Sequence, residues 1–253
     1  MSIIASYTTP EFDRSALITI DVQRDVLEGE PLEVPGSSAA ADGIGRIAEG
    51  FRAAGRPIVH IVRLYKRDGS NVDPCRRHLV ERGAAILAPG SSGSELVPGL
   101  LPDPRTRLDS GALLAGTVQE IGADEVVMYK PRWGAFFETP LESHLQTCGI
   151  STVVFCGFNF PNCPRTSIYE ASERDFRVVA VTDAISGLYE RGERELGARR
   201  ARRQDGRPPL DQVAPAGIDV AAVTSVEPHD VNDRSSRRAK AVGKATDRIR
   251  GRR

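Results

Sequence analysis

The sequence predicts a three-layer α/β/α fold built on a mostly parallel, doubly wound central sheet. Three observations carry this expectation. Short runs that are apolar at consecutive positions recur along the first 190 residues, as strands covered on both faces require. Helix-like segments lie between them, the alternation expected of right-handed βαβ units. A chain of 253 residues, 40% of them hydrophobic, is also long enough to bury one large core.

Taken in order, the expected strands are "ALITID" (16–21), "PIVHIV" (57–62), "EVVMYK" (125–130), "TVVFCG" (152–157) and "RVVAVTD" (177–183). The expected helices are "GIGRIAEGFRAAG" (43–55), "TPLESHLQTCG" (139–149) and "RTSIYEASERDF" (165–176). Thr139, with Glu142 three residues on, is a capping signal, and Gly55 and Gly149 stand where helices should stop. Residues 63–124 hold no convincing strand. Their stretch "LAPGSSGSELVPGLLPDPRT", rich in Pro, Gly and Ser, predicts a long, partly helical excursion that walls the active site. "IDVAAVTSV" (218–226) is a candidate last strand. A domain over 1–190, completed by that strand, is therefore expected, followed by a basic tail over 227–253 that lacks the apolar residues to order itself.

Charge is unevenly divided although the formal net charge is zero. Residues 1–190 hold 18 Lys/Arg against 25 Asp/Glu, and residues 191–253 hold 16 against 9. Clustered Arg without interleaved aromatics is weak evidence for nucleic-acid binding, so that class is disfavoured. No stretch approaches the roughly 18 apolar residues of a membrane span. No basic region precedes an apolar run at the N-terminus, and the reading is a cytoplasmic protein. The first strand is followed by "DVQRDVLEGEPLEVPG", which has neither a GxGxxG nor a Walker-type phosphate loop, against a nucleotide-binding module. Four cysteines, at 75, 148, 156 and 163, form no CxxC pair and favour reduced thiols.

Asp21 ends the first strand, Lys130 ends the third, and Cys163 follows the fourth after a loop. In a parallel sheet all three lie at the edge where ligands bind. A thiol becomes a nucleophile when a helix N-terminus, a cation or a base favours its thiolate. Pro164 suits a first helical position, Lys130 supplies a cation and Asp21 a base. Each residue alone has a plain structural reading: Asp21 as a cap, Lys130 as a solvated strand end, Cys163 as a small buried hydrophobe. Cys156, inside a strand, and Cys148, on a helix, are read in that last way, and His144 as helix surface.

The motifs "IDVQ" (20–23), "YKPRWGAFFETPLESHL" (129–145) and "CGFNFPNCPRTSIYEASERDFRVVAVTDA" (156–184) resemble those of the isochorismatase-like cysteine hydrolases, a match running from about Ser15 to Leu188. The resemblance implies a catalytic triad of Asp21, Lys130 and Cys163, with backbone NH groups of Asn159 and Cys163 as the oxyanion hole. It also implies a nonprolyl cis peptide in the loop before the nucleophile, between Phe158 and Asn159, with Phe160–Pro161 as a competing site. The chain departs from the family pattern at Phe160, Pro161 and Gly134. Metal-binding nicotinamidases of the family carry an Asp and two His after the second strand. Here His60 lies within that strand and His78 is 18 residues away, so neither metal nor other cofactor is expected. Gln23, Arg63, Tyr65, Arg132 and Trp133 are the candidate substrate-binding residues: a guanidinium can hold a carboxylate or carbonyl, and an indole can cover an apolar face.

The expected function is hydrolysis of a C–N bond in a small amide, carbamoyl or ureido substrate through a thioester. Vinyl-ether hydrolysis of the isochorismatase type and a noncatalytic interaction role are the alternatives. A homo-oligomer is expected, and a neighbouring subunit is a candidate contributor to the pocket beside the long excursion.

Overall fold

The computed structural model describes residues 7–188, Gly192, and the backbone of 199–200 and 220–223. Five strands run parallel: β1 (Ser15–Ile20), β2 (Ile58–Val62), β4 (Glu125–Tyr129), β5 (Thr152–Gly157) and β6 (Arg177–Ile185). The order across the sheet is β3-β4-β2-β1-β5-β6-β8-β7, with β3 (Gln119–Gly122), β8 (Val220–Val223) and β7 (Arg199–Arg200) antiparallel to their neighbours. Both β2 and β5 flank β1, so the direction of winding reverses there and opens a crevice beyond the carboxyl ends of these strands. The tail over 227–253 lies outside the described residues.

Alternate side chains of each strand enter two separate cores. Leu17, Val154, Cys156 and Val179 face one with Ile44, Ile47, Ala48 and Phe51 of helix α1 (Ser37–Ala53). Ala16, Ile18, Ile20, Val153 and Phe155 face the other with Leu141 and Leu145 of α4 (Leu141–Thr147) and Ile168 and Ala171 of α5 (Cys163–Ser172). Every residue of β1, β2 and β5 is buried, which is why these strands read as mostly apolar runs. Each fully buried aliphatic side chain contributes about 1.5–3 kcal/mol.

One buried ionic cluster interrupts the apolar layer. Glu125 of β4, 1% exposed, accepts two hydrogen bonds from Arg52 at 2.7 Å and one from His60 Nε2 at 2.8 Å. The second ring nitrogen of His60 meets Thr19 Oγ1 at 2.8 Å. Burial pushes His60 below its ordinary range, so the imidazole is neutral: it donates to Glu125 and accepts from Thr19. Burial works against the Glu125 charge too, but Arg52 and His60 hold that carboxyl below its usual value.

Several local expectations are corrected. Residues 63–124 contain, besides α2 (Pro74–Glu81) and α3 (Ser110–Leu114), the antiparallel edge strand β3. Its alternating half-exposed pattern carries no apolar run to reveal it. The N-cap position of α4 is Pro140, one residue after Thr139, whose hydroxyl accepts from Leu141 N at 3.4 Å and donates to Ala135 O at 2.5 Å. Gly55 and Gly149 do follow helix ends, with φ of 61° and 66°. Cys148 caps α4 and is exposed, not buried, because it lies beyond the face that packs on the sheet.

Candidate active site

Backbone hydrogen bonds bring the site together before any side chain does. Asp21 N donates to Ile61 O and Lys130 N to Val62 O, so the ends of β1, β2 and β4 are held in register. On the other side, Phe158 N donates to Ile20 O at 2.9 Å. Gly157 makes that approach possible: its φ is 130°, and a Cβ there would lie 2.2 Å from Ile20 O. Asp21 itself has φ 53°, a conformation that costs energy for a residue with a Cβ and is often found at functional sites.

The three separated residues then converge. Lys130 Nζ bonds Asp21 Oδ2 at 2.8 Å, both groups being buried, while Asp21 Oδ1 is buried without a hydrogen-bond partner. Cys163 is the first residue of α5, with Pro164 next in the helix, and its backbone N–H belongs to the first turn, where no intrahelical acceptor exists. Asp21, Cys163 and Asn159 line one chamber of about 40 Å³, together with Arg63, Tyr65, Arg76 and Phe158. That volume exceeds what one water needs.

Of a thiolate at rest and a thiol readily converted to one, the surroundings of Cys163 favour the second. Burial and the neighbouring Asp21 charge push the Cys163 thiol up to about 11, against the opposing pull of Lys130 and Arg63. Desolvation and a nearby carboxylate outweigh the cations, which favours the neutral thiol. Cys156, wholly buried in the sheet, is pushed up further by burial alone. The expected cis peptide is also corrected: no described peptide bond is cis, at Phe158–Asn159 or at Phe160–Pro161. The chain reverses instead through Gly157 and through Asn162, at φ −117° and ψ −100°.

The proposed substrate residues divide. Arg63 and Tyr65 line the chamber. Gln23 is fully buried and spent on backbone, donating to Arg63 O and Ser94 O and accepting from Arg63 N at 2.8 Å. It is a clamp on the β2 end, not a substrate contact. Arg132 and Trp133 are exposed and line a different, larger cavity of about 450 Å³ with Phe137, Cys75 and Glu170. Asp73 stands between the two spaces: it borders the larger one, and its carboxylate bonds Tyr65 Oη at 2.7 Å and Arg63 Nη1 at 3.4 Å.

Two further residues support this arrangement without having been singled out in the sequence. Ser167 and Glu170, four and seven residues after Cys163 on α5, accept hydrogen bonds from Ala135 N and Phe136 N, fastening the segment after Lys130 to the helix of Cys163. Gly134 is explained by the same contact, since a Cβ there would lie 2.1 Å from Glu170 Oε1. The excursion is held over the site by Asp25, whose Oδ2 accepts from Leu87 N, and by pairing of Gln23 with Leu96. Arg76 was overlooked, although the pair Asp73–Pro74 is a helix-start signal that places it in the first turn of α2. His60 is occupied within the sheet and His78 is exposed on α2. Among the described residues no three His, Cys, Asp or Glu form a metal-binding group. No described helix is long and apolar enough to cross a membrane.

The Isochorismatase domain model matches residues 15–109 and 104–213. The chain belongs to the isochorismatase family. This is a family of hydrolases that includes amidohydrolases. The chain is 31% identical over 176 residues to a probable inactive nicotinamidase of Arabidopsis thaliana, covering 68% of this chain and 80% of that one. It is 27% identical to the ureidoacrylate amidohydrolase of Methylobacterium radiotolerans, over 66% of this chain and 65% of the relative. Among solved structures, an isochorismatase family protein from Desulfovibrio vulgaris aligns with TM-score 0.60 and 31% identity, covering 72% of this chain and 86% of that one.

Proposed function

We propose that this isochorismatase-family hydrolase cleaves the C–N bond of a small amide, carbamoyl or ureido substrate, with Cys163 as nucleophile and a thioester as intermediate. The observation that carries the reading is the division of labour at Asp21. One carboxylate oxygen is held by Lys130 at 2.8 Å, and the other, Oδ1, is buried and unpartnered in the chamber wall beside Cys163. A carboxylate so placed can take the thiol proton.

Because burial and Asp21 make the thiol a weak acid, its proton moves to Asp21 as Sγ attacks the carbonyl, not before. The tetrahedral oxyanion is received by the Asn159 and Cys163 backbone N–H groups, each worth about 3 kcal/mol by analogy with other hydrolases. Asp21 returns the proton to the departing amine. Water then adds to the thioester, losing its proton to Asp21, and the acid leaves as the thiol is restored. Lys130 holds the Asp21 carboxyl group in place throughout by its hydrogen bond to Oδ2.

The test is ammonia or amine release from a panel of amides and ureido acids by the wild type and by Cys163→Ala, with intact-protein mass spectrometry on a slow substrate. The expected result is turnover by the wild type only, and an acyl adduct on Cys163. Near-normal hydrolysis by the alanine variant with no adduct overturns the cysteine mechanism and returns the site to an Asp21-assisted, cysteine-independent reaction.

A further inference from the structure

A third cavity, of about 340 Å³, shares no lining residue with the chamber of Cys163. Its walls are Arg24, Gly90, Ser91, Ser92, Glu95 and Arg107, with no apolar side chain among them. The volume falls within the range of small-molecule sites, about 300–1,000 Å³. Glu95 assembles it. This residue is 8% exposed, its carbonyl accepts from Arg24 N at 3.0 Å, and its Oε2 accepts from Leu108 N at 3.1 Å, so two distant arginines are drawn to one space.

Neither guanidinium is spent. Arg24 donates from Nε to Leu96 O at 3.4 Å and from Nη1 to Ser92 Oγ at 3.5 Å, both long for hydrogen bonds. Arg107 donates from Nη1 to Pro104 O at 3.0 Å and Thr106 O at 2.8 Å. Among the described residues neither is paired with a carboxylate, whereas Arg52, Arg105 and Arg174 each are. A guanidinium has five N–H donors, so both keep donors for a ligand. The hydroxyls are similarly poised: Ser91 Oγ accepts from Ser94 N at 3.2 Å and Ser92 Oγ from Arg24, which leaves the O–H of each to donate. Donors on four residues exceed what the two oxygens of a carboxylate need, and they match the several oxygens of a phosphate.

We propose that this cavity binds a phosphate group, free or as the monoester of a small hydroxylated molecule, and that its occupant braces the excursion over the chamber of Cys163. Two cations against one carboxylate leave the lining a net positive charge. Glu95 repels a bare anion but accepts from a hydroxyl, so an ester suits both ends of the cavity. The bracing follows from the neighbours of Arg24. Gln23 before it clamps Arg63 and pairs with Leu96, and Asp25 after it holds Leu87 N. An anion shared by Arg24 and Arg107 ties those contacts to the stretch that leads into α3.

Binding is read without turnover, by phosphorus NMR line broadening of inorganic phosphate and of glycerol phosphate at constant ionic strength. The expected result is saturable binding that weakens at least about tenfold in Arg24→Gln and in Arg107→Gln, is partly recovered in Arg107→Lys, and is unchanged in Arg76→Gln. Arg107 is exposed, so its variant keeps the test sound even if Arg24→Gln fails to fold. Tighter binding of glycerol phosphate assigns the site to esters, and equal affinity assigns it to free phosphate. No saturable binding of either probe, or equal affinity in Arg107→Gln, overturns the site. A loss in Arg76→Gln instead puts the anion in the chamber of Cys163 and overturns it as well. Hydrogen exchange over residues 87–96 is expected to slow when phosphate is added to the wild type, and unchanged exchange overturns the bracing. None of these outcomes depends on amide hydrolysis, so the site and the hydrolase reading stand or fall separately.

Discussion

At the scale of single residues, the position of Cys163 matters less than the balance of fields on it. The helix start and Lys130 favour a thiolate, while burial and Asp21 disfavour it, and the second pair wins, leaving the thiol near 11. Iodoacetamide labelling of Cys163 is therefore expected to climb with pH and to level off only near that value. A plateau below pH 8 in the labelling profile would show a thiolate in the resting site. Asp21→Asn removes the proposed proton acceptor, and turnover should fall by at least about 100-fold, the scale of a lost general base. Lys130→Met leaves Asp21 buried and unpaired, so it should destabilise the fold by about 3–5 kcal/mol as well as abolish turnover. Denaturant melts of that variant check the first part and the ammonia assay the second.

At the scale of elements, the site depends on how closely β1 and β5 end together. Gly157 permits this, because any side chain there meets the Ile20 backbone and the φ of 130° is foreign to other residues. Gly157→Ala should cost at least about 2 kcal/mol and lower activity by displacing the loop that carries Asn159. Urea midpoints compared with those of Gly83→Ala, which also has positive φ but no atom within 4 Å of its Cβ, separate the clash from the backbone cost. The strands that meet here were legible because each is buried on both faces and so is mostly apolar. Edge strand β3 was not, since half of its surface faces solvent and its residues alternate.

At the scale of the whole molecule, the cluster of Thr19, His60, Glu125 and Arg52 ties β1, β2, β4 and α1 together and makes stability depend on pH. Both His60 and Glu125 have folded-state values below their unfolded ones, so the unfolded chain binds more protons on acidification. The stabilisation is full above the ordinary His value of about 6.5 and is lost as pH falls through the folded values. Thermal melts should show a progressive loss of stability below about pH 6.5, and His60→Gln, although less stable at pH 8, should flatten the slope between pH 7 and 5. An unchanged slope in the variant would assign the acid sensitivity to other groups.

The sequence by itself determined the parallel sheet, its two buried faces and the gathering of Asp21, Lys130 and Cys163 at one edge, because burial on both sides of a strand and the rules of βαβ winding are local and topological constraints. Tertiary structure alone decided what surrounds them. Gln23 turned from a candidate ligand into a backbone clamp because Arg63 and Ser94 lie 40 and 71 residues away in the chain but against it in space. Arg132 and Trp133 were drawn to a second cavity, while Arg76, from a helix within the excursion, was brought to the chamber. The balance of fields on the Cys163 thiol was set in the same way. A pKa and a pocket wall are sums over neighbours from several distant segments, and periodicity and motif spacing carry no record of such sums.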